Sequence, residues 1–129
     1  MPSICLIFGA TTLLLGNSFT LSWKHSVEKI VWEEYYHLEN NQLILETARV
    51  RGTGAGMEIP EGAVFTNGAW EYQPKLIIKE VLLTHSQYTT PYVVCREGDT
   101  AKKGTCQTLP QLIPDMGNGA AVKLTTCAL

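Results

Sequence analysis

From Phe19 onward, apolar side chains recur at every second position. Phe19, Leu21, Trp23 and His25 fall on one side of an extended chain, and Thr20, Ser22 and Lys24 on the other; this is the period of a half-buried strand. Val31 to Leu38 is again rich in aromatic and β-branched residues, and the turn sequence "ENNQ" leads from it into "LILETARV". The three segments predict an antiparallel meander. Between Arg51 and Gly68 the glycines Gly52, Gly54, Gly56 and Gly62, with Pro60 among them, break regular structure. Asn67-Gly68 then lies between "AVFT" and "AWEY", a strong hairpin signal. "PKLIIKEVLL", "PYVVC" and "AAVKLTTCAL" supply further short strands. The stretch from Gly98 to Gly119 reads equally well as turns or as one long ordered loop, and no window after the first residues has helical periodicity. Seven or eight short strands in about a hundred residues predict an all-β fold, a single-domain antiparallel β-sandwich or small barrel.

The opening residues, "MPSICLIFGATTLLLGNS", carry an apolar run from Ile4 to Leu15 followed by the small residues Gly16 and Ser18. This matches a secretory signal with a small-x-small cleavage site, which divides the chain into an 18-residue leader and a single β domain over 19–129. A periplasmic or otherwise extracytoplasmic location follows. The other reading of the same run is a buried first strand. The run is too short to cross a bilayer as a helix, so no stable membrane span is expected.

A length of 129 residues with 45% hydrophobic content suits one core. Ten basic and 12 acidic residues are interspersed for a net charge of −2, which leaves no footprint for a polyanion and argues against nucleic acid as a partner. Cys5, Cys95, Cys106 and Cys127 become three if the leader is removed. Cys95 and Cys106 flank the turn-like "REGDTAKKGT", and a disulfide between them would close that loop in an oxidising compartment. Small buried hydrophobes are the alternative for Cys95 and Cys127.

The stretch "KHSVEKIVWEEYY", Lys24 to Tyr36, is crowded with ionisable and hydrogen-bonding groups. Strand alternation sorts it. His25 ends the apolar face of its strand, while Glu34 shares a face with Trp32, Tyr36 and Leu38. A carboxylate on a core-facing position needs a donor, such as a hydroxyl, a backbone amide or a cation. A tight hairpin is expected to set Val31 nearly opposite His25, with Glu34 nearer Ser22. For His25 the structural alternative is satisfaction by a backbone carbonyl; Glu28 falls in the turn, where solvation suffices.

Ser26 adjoins His25, but neighbouring strand residues point to opposite faces, which sets the histidine badly as its base. No "GxSxG" elbow is present. His25, His37 and His85 lack the close spacing of a zinc motif and the cysteines lack "CxxC", so no metal and no other cofactor is expected. In "RGTGAGMEIPEG" no helix follows the glycines, as a phosphate cradle would require. Close backbone packing, or a turn at the rim of a pocket, is the expected role of Gly54 to Gly56.

His25, Ser26, Val27 and Glu28, then Glu34, then Gly54, Ala55, Gly56 and Pro60 together resemble the bacterial family called domain of unknown function 1850, in the order and spacing of its blocks over Phe19 to Gly62. The resemblance implies a small exported protein associated with tripartite ATP-independent periplasmic (TRAP) transporters, of the type whose solute-binding protein is called TAXI. It implies no activity. The expected function is an extracytoplasmic accessory protein that docks on a TRAP permease or TAXI binding protein, or holds a small solute. Its partner- or ligand-binding residues are His25, Ser26, Glu28, Glu34, Gly54, Ala55 and Gly56, with none assigned to catalysis. Two alternatives stand beside it: a hydrolytic or metal-assisted enzyme using His25 with Glu28 or Glu34, and a purely structural interaction module.

Overall fold

A computed structural model describes residues 2–24, 30–51, 61–86, 88–96 and 105–128. In chain order the elements are β1 (Pro2–Phe8), β2 (Thr11–Gly16), β3 (Ser18–Lys24), β4 (Val31–Glu39), β5 (Gln42–Arg51), β6 (Val64–Thr66), β7 (Ala69–Tyr72), β8 (Leu76–Ile78), β9 (Glu80–Thr84), β10 (Val93–Arg96), β11 (Thr105–Thr108), α1 (Leu109–Leu112) and β12 (Ala121–Ala128). The strands form two antiparallel sheets and no closed barrel: the fold is an all-β sandwich. The smaller sheet runs β2-β1-β12-β9, and the larger runs β11-β10-β3-β4-β5-β7-β6, with β8 on the free part of the β5 edge.

Two tight turns set the meander. Glu39 pairs with Gln42 across Asn40-Asn41, and Thr66 pairs with Ala69 across Asn67-Gly68. All four turn residues have positive φ, the conformation that a two-residue hairpin needs and that asparagine and glycine tolerate. The β3–β4 register corrects the expected one by a single residue: Lys24 faces Val31 and Leu21 faces Glu34. Directly opposed residues share a face, so this register, unlike the one a residue away, sets the apolar side of β3 against that of β4. Phe19 stacks on Tyr36 with centroids 5.2 Å apart, and Trp23 on Trp32 at 6.1 Å.

Between β4 and β5 the register shifts at Tyr35/Tyr36, so that Tyr35 faces Thr47 while Tyr36 faces Leu45. The extra residue, Glu46, is a bulge that changes the phase of β5. Leu43 and Leu45 before it and Ala48 and Val50 after it are therefore all buried. "PKLIIKEVLL" is also divided: β8 pairs with β5 in the larger sheet, and after Lys79 the chain enters β9 beside β12 in the smaller one.

The apolar run of the first residues forms β1 and β2. β1 is an inner strand, paired with β2 on one side and with β12 on the other, from Pro2↔Ala128 to Ile7↔Lys123. Ile4, Leu6, Leu15, Leu83, Val122 and Leu124 of the smaller sheet close the core against Phe19, Leu21, Tyr36, Leu43, Leu45 and Val94 of the larger. Leu109, Ile113 and Met116 plug one side of it. α1, a single turn without detectable periodicity, is started by a capping box in which Thr108 and Gln111 each accept the other's backbone N–H. Two disulfides join distant and near parts of the chain, Cys5–Cys127 and Cys95–Cys106; the second links residues directly opposed on β10 and β11.

Because Leu6 is fully buried and Leu14 is 38% exposed, Leu6→Ala should cost about 2–5 kcal/mol and Leu14→Ala about 0.5 kcal/mol or less in urea unfolding. Equal small losses would mean that residues 2–16 do not pack into the domain.

Candidate functional site

The inner face of the larger sheet carries two ordered rows towards the Trp23 end of its strands. One is aromatic: Trp23, Trp32, Val50, Trp70 and Phe65 face one another in sequence across β3, β4, β5, β7 and β6. Tyr92, just before β10, extends it, tilted against Trp23 at 5.7 Å. The neighbouring row, two residues along each strand, runs Val94, Leu21, Glu34, Ala48, Tyr72. Cross-strand neighbours lie about 5 Å apart, so Glu34 stands one residue pair behind the tryptophans with the small Ala48 between it and Tyr72.

The Glu34 carboxylate accepts a 2.8 Å hydrogen bond from the Tyr36 hydroxyl, which meets the requirement for a donor at this position. Burial nevertheless raises its pKa above the ordinary 4.5, and the Tyr36 bond opposes the rise only in part. The charge is felt by its surroundings. Tyr36 is pushed up by burial and then by the Glu34 charge and hydrogen bond, and Tyr72 and Tyr92 are raised by burial first and the Glu34 charge second. The Glu34 charge is thus felt by three tyrosines, from β4, β7 and the approach to β10, of which Tyr36 touches it. On the outer face the pattern differs: Arg51 Nε meets Glu33 Oε1 at 2.6 Å and Arg49 Nε meets Glu71 Oε1 at 3.6 Å. Among the described residues Glu34 has no cationic partner.

Beside Trp23 and Tyr92 a hollow of about 190 Å³ opens where the chain crosses from β9 in the smaller sheet to β10 in the larger. Lys24 and His85 line it together with the hydroxyl residues Thr84, Ser86, Thr89 and Thr90. Backbone bonds hold its walls. The His85 N–H donates to the Ala120 carbonyl at 2.8 Å and the His85 carbonyl accepts from Gly119 N–H at 2.8 Å, while the Tyr92 carbonyl accepts from Leu109 N–H at 2.9 Å. Tyr92 connects the two features: its ring lines the hollow and its hydroxyl lies within reach of the Glu34 charge.

Of the residues expected to bind, Glu34 is the one whose place is described. His25, Ser26, Glu28, Gly54, Ala55 and Gly56 lie outside the described residues. The strands that lead to them end together, since Lys24 pairs with Val31 and Trp32 with Val50, one residue before Arg51. Alternation had put Trp32 and Tyr36 on the Glu34 face. Tyr72, Tyr92 and the 84–92 crossing were not part of the sequence reading. The signal for Tyr72 was its alternation with Trp70 after the Asn67-Gly68 turn; Tyr92 had none, because its strand neighbours β3 only through tertiary pairing. His37 is on the outer face, 3.2 Å from the Glu46 carboxylate. Among the described residues no group of three His, Cys, Asp or Glu side chains is placed to hold a metal ion, and no helix is long and apolar enough to cross a membrane.

These features define an antiparallel β-sandwich with a carboxylate set among aromatic side chains on the open margin of its larger sheet. The model of the family called Domain of unknown function (DUF1850) matches residues 19–102, and the chain belongs to that family. The match takes in β3 to β10 and both sequence blocks. No curated protein and no solved structure matches the chain.

Two outcomes test the electrostatics. A carboxyl whose folded pKa is raised contributes stability that is complete below pH 4.5, where it is protonated in both states, and that is lost as pH rises through the folded value. The melting temperature of Glu34→Gln relative to the unsubstituted chain should therefore climb between pH 4 and pH 7; a constant difference would place the carboxyl in solvent. Tyr36→Phe should cost about 1–3 kcal/mol at pH 7, and much of that cost should vanish in the Glu34→Gln background, as a double-mutant cycle by denaturant unfolding would read.

Proposed function

We propose that this chain is an extracytoplasmic accessory protein of a TAXI-type TRAP transporter and that it works by holding a small solute at the open margin of its larger sheet. The observation that carries the binding part is the Glu34 site: a half-buried carboxylate, hydroxyl donors and ring faces, next to a hollow at the sheet end from which both family blocks depart. Ring faces beside several hydrogen-bonding groups suit recognition of a small polar solute.

The location is supported by the two disulfides, since such bonds persist in oxidising compartments. Cys5 belongs to one of them, so in this proposal residues 2–16 stay in the working domain as β1 and β2. The transporter association rests on the family resemblance of the "HSVE" and "GAG" blocks.

The test is co-purification from the exported fraction with the permease or the binding protein of a TAXI-type TRAP transporter, together with solute uptake in a strain lacking the gene. Recovery of either subunit and reduced uptake are expected. Unchanged uptake without the gene would remove the accessory role.

A further inference from the structure

The hollow beside Trp23 and Tyr92 has basic groups on its walls and, among the described residues, no acidic one. Lys24 and His85 line it with four hydroxyl side chains, and no carboxylate, Glu34 included, is among its lining residues. Elsewhere a base meets an acid across neighbouring strands, as Arg49 meets Glu71, Arg51 meets Glu33 and Lys123 meets Glu80. Neither Lys24 nor His85 enters an ion pair among the described residues. We infer that the hollow takes a small aromatic acid, a single planar ring that carries one anionic group. It rests on the solute-holding part of the function proposed above and places that solute's charge at Lys24.

The walls supply complements to both halves of such a molecule. Trp32 stacks on Trp23 with the rings 8° from parallel, and Tyr92 meets Trp23 at 58° with centroids 5.7 Å apart. Trp23 and Tyr92 also line the hollow, so ring surface not used in these contacts faces it. A third ring there gains offset or edge contacts that a saturated body does not. The anionic group belongs with Lys24, which is exposed, and with the half-buried His85, because hydrogen bonds to a charged group are the stronger kind. Ser86 Oγ accepts from the Tyr88 N–H at 3.2 Å, which leaves its own hydrogen to donate, and the Thr84 and Thr90 hydroxyls are further donors. Backbone bonds hold these groups before a ligand arrives: His85 is bonded to Ala120 and Gly119, and the Thr89 N–H closes onto the Ser86 carbonyl at 3.4 Å. Less ordering is then left for binding to bring about. The volume, about 190 Å³, lies below the roughly 300 Å³ at which pockets for drug-sized molecules begin, and suits one ring with its acid group.

Titration of the intact chain with benzoate, cyclohexanecarboxylate, acetate and benzyl alcohol, followed by calorimetry and tryptophan fluorescence, separates the ring from the charge. Benzoate should bind in saturable fashion, and cyclohexanecarboxylate about threefold or more weaker. Acetate, which lacks the ring, and benzyl alcohol, which lacks the charge, should each bind about tenfold or more weaker than benzoate. Lys24→Ala, a change at an exposed position, should lose about tenfold of the benzoate affinity while keeping that for benzyl alcohol and the near-ultraviolet circular dichroism of a folded chain. Lys24→Arg should restore most of the loss. Benzyl alcohol bound as tightly as benzoate, or benzoate affinity unaltered in Lys24→Ala, would overturn the assignment of the charge, and cyclohexanecarboxylate bound as tightly as benzoate would overturn that of the ring; each result leaves solute holding in place. Absence of saturable binding by all four probes would also overturn the inference, and the co-purification and uptake experiments would then decide separately whether the accessory role survives.

Discussion

The pairing of β3 with β4 is the constraint on which the larger sheet depends. With Leu21 opposite Glu34, Phe19 meets Tyr36 on one side and Trp23 meets Trp32 on the other. A slip of one residue would turn one strand's aromatic side chains to solvent and set Ser22 beside the carboxylate. The same register places Glu34 behind a tryptophan pair and not on the outer face, where Glu33 finds Arg51. The core and the candidate site are thus two ends of one stripe of side chains: its Phe19 and Tyr36 end is sealed by the smaller sheet, and its Trp23 and Trp32 end is left at the margin.

Glu34 has a structural partner and an electrostatic surplus. Its hydrogen bond from Tyr36 offsets part of the loss of hydration, yet burial outweighs that bond in setting its pKa. Here the carboxylate is stabilised by a hydroxyl dipole, while aromatic ring faces, the negative side of their quadrupole, give it nothing, and this is weaker than pairing with a cation. Outer-face carboxylates, by contrast, are met by arginines at the cost of some side-chain freedom and stay partly hydrated. That difference leaves the inner-face carboxylate, alone of the three, without a cation among the described residues.

Closure of the sandwich comes from the two ends of the chain. β1 lies between β2 and β12, and Cys5 is bonded to Cys127 across 122 residues of sequence. Ile4 and Leu6 then lie in the same core as Leu83 and Leu124. An apolar run followed by small residues is compatible with a leader and with an inner strand, because both require a string of hydrophobic side chains. In the folded chain that run pairs with β12.

Local alternation was enough to decide much of this molecule. It divided "FTLSWK" and "VWEEYYHL" into faces, put Glu34 with Trp32 and Tyr36, and located both asparagine turns, because a strand's side chains must alternate and a two-residue hairpin needs positive φ. It left the register one residue out, since a tight turn and a matched apolar face made different demands and the core settled between them. The bulge at Glu46, which turns Ala48 inward, and the division of "PKLIIKEVLL" between two sheets were also beyond it. So was the gathering of Tyr72 and Tyr92 around Glu34. Alternation acts between neighbours in the chain, whereas the choice of neighbouring strands is made by burying faces that lie far apart in sequence, and only the packed sandwich makes that choice.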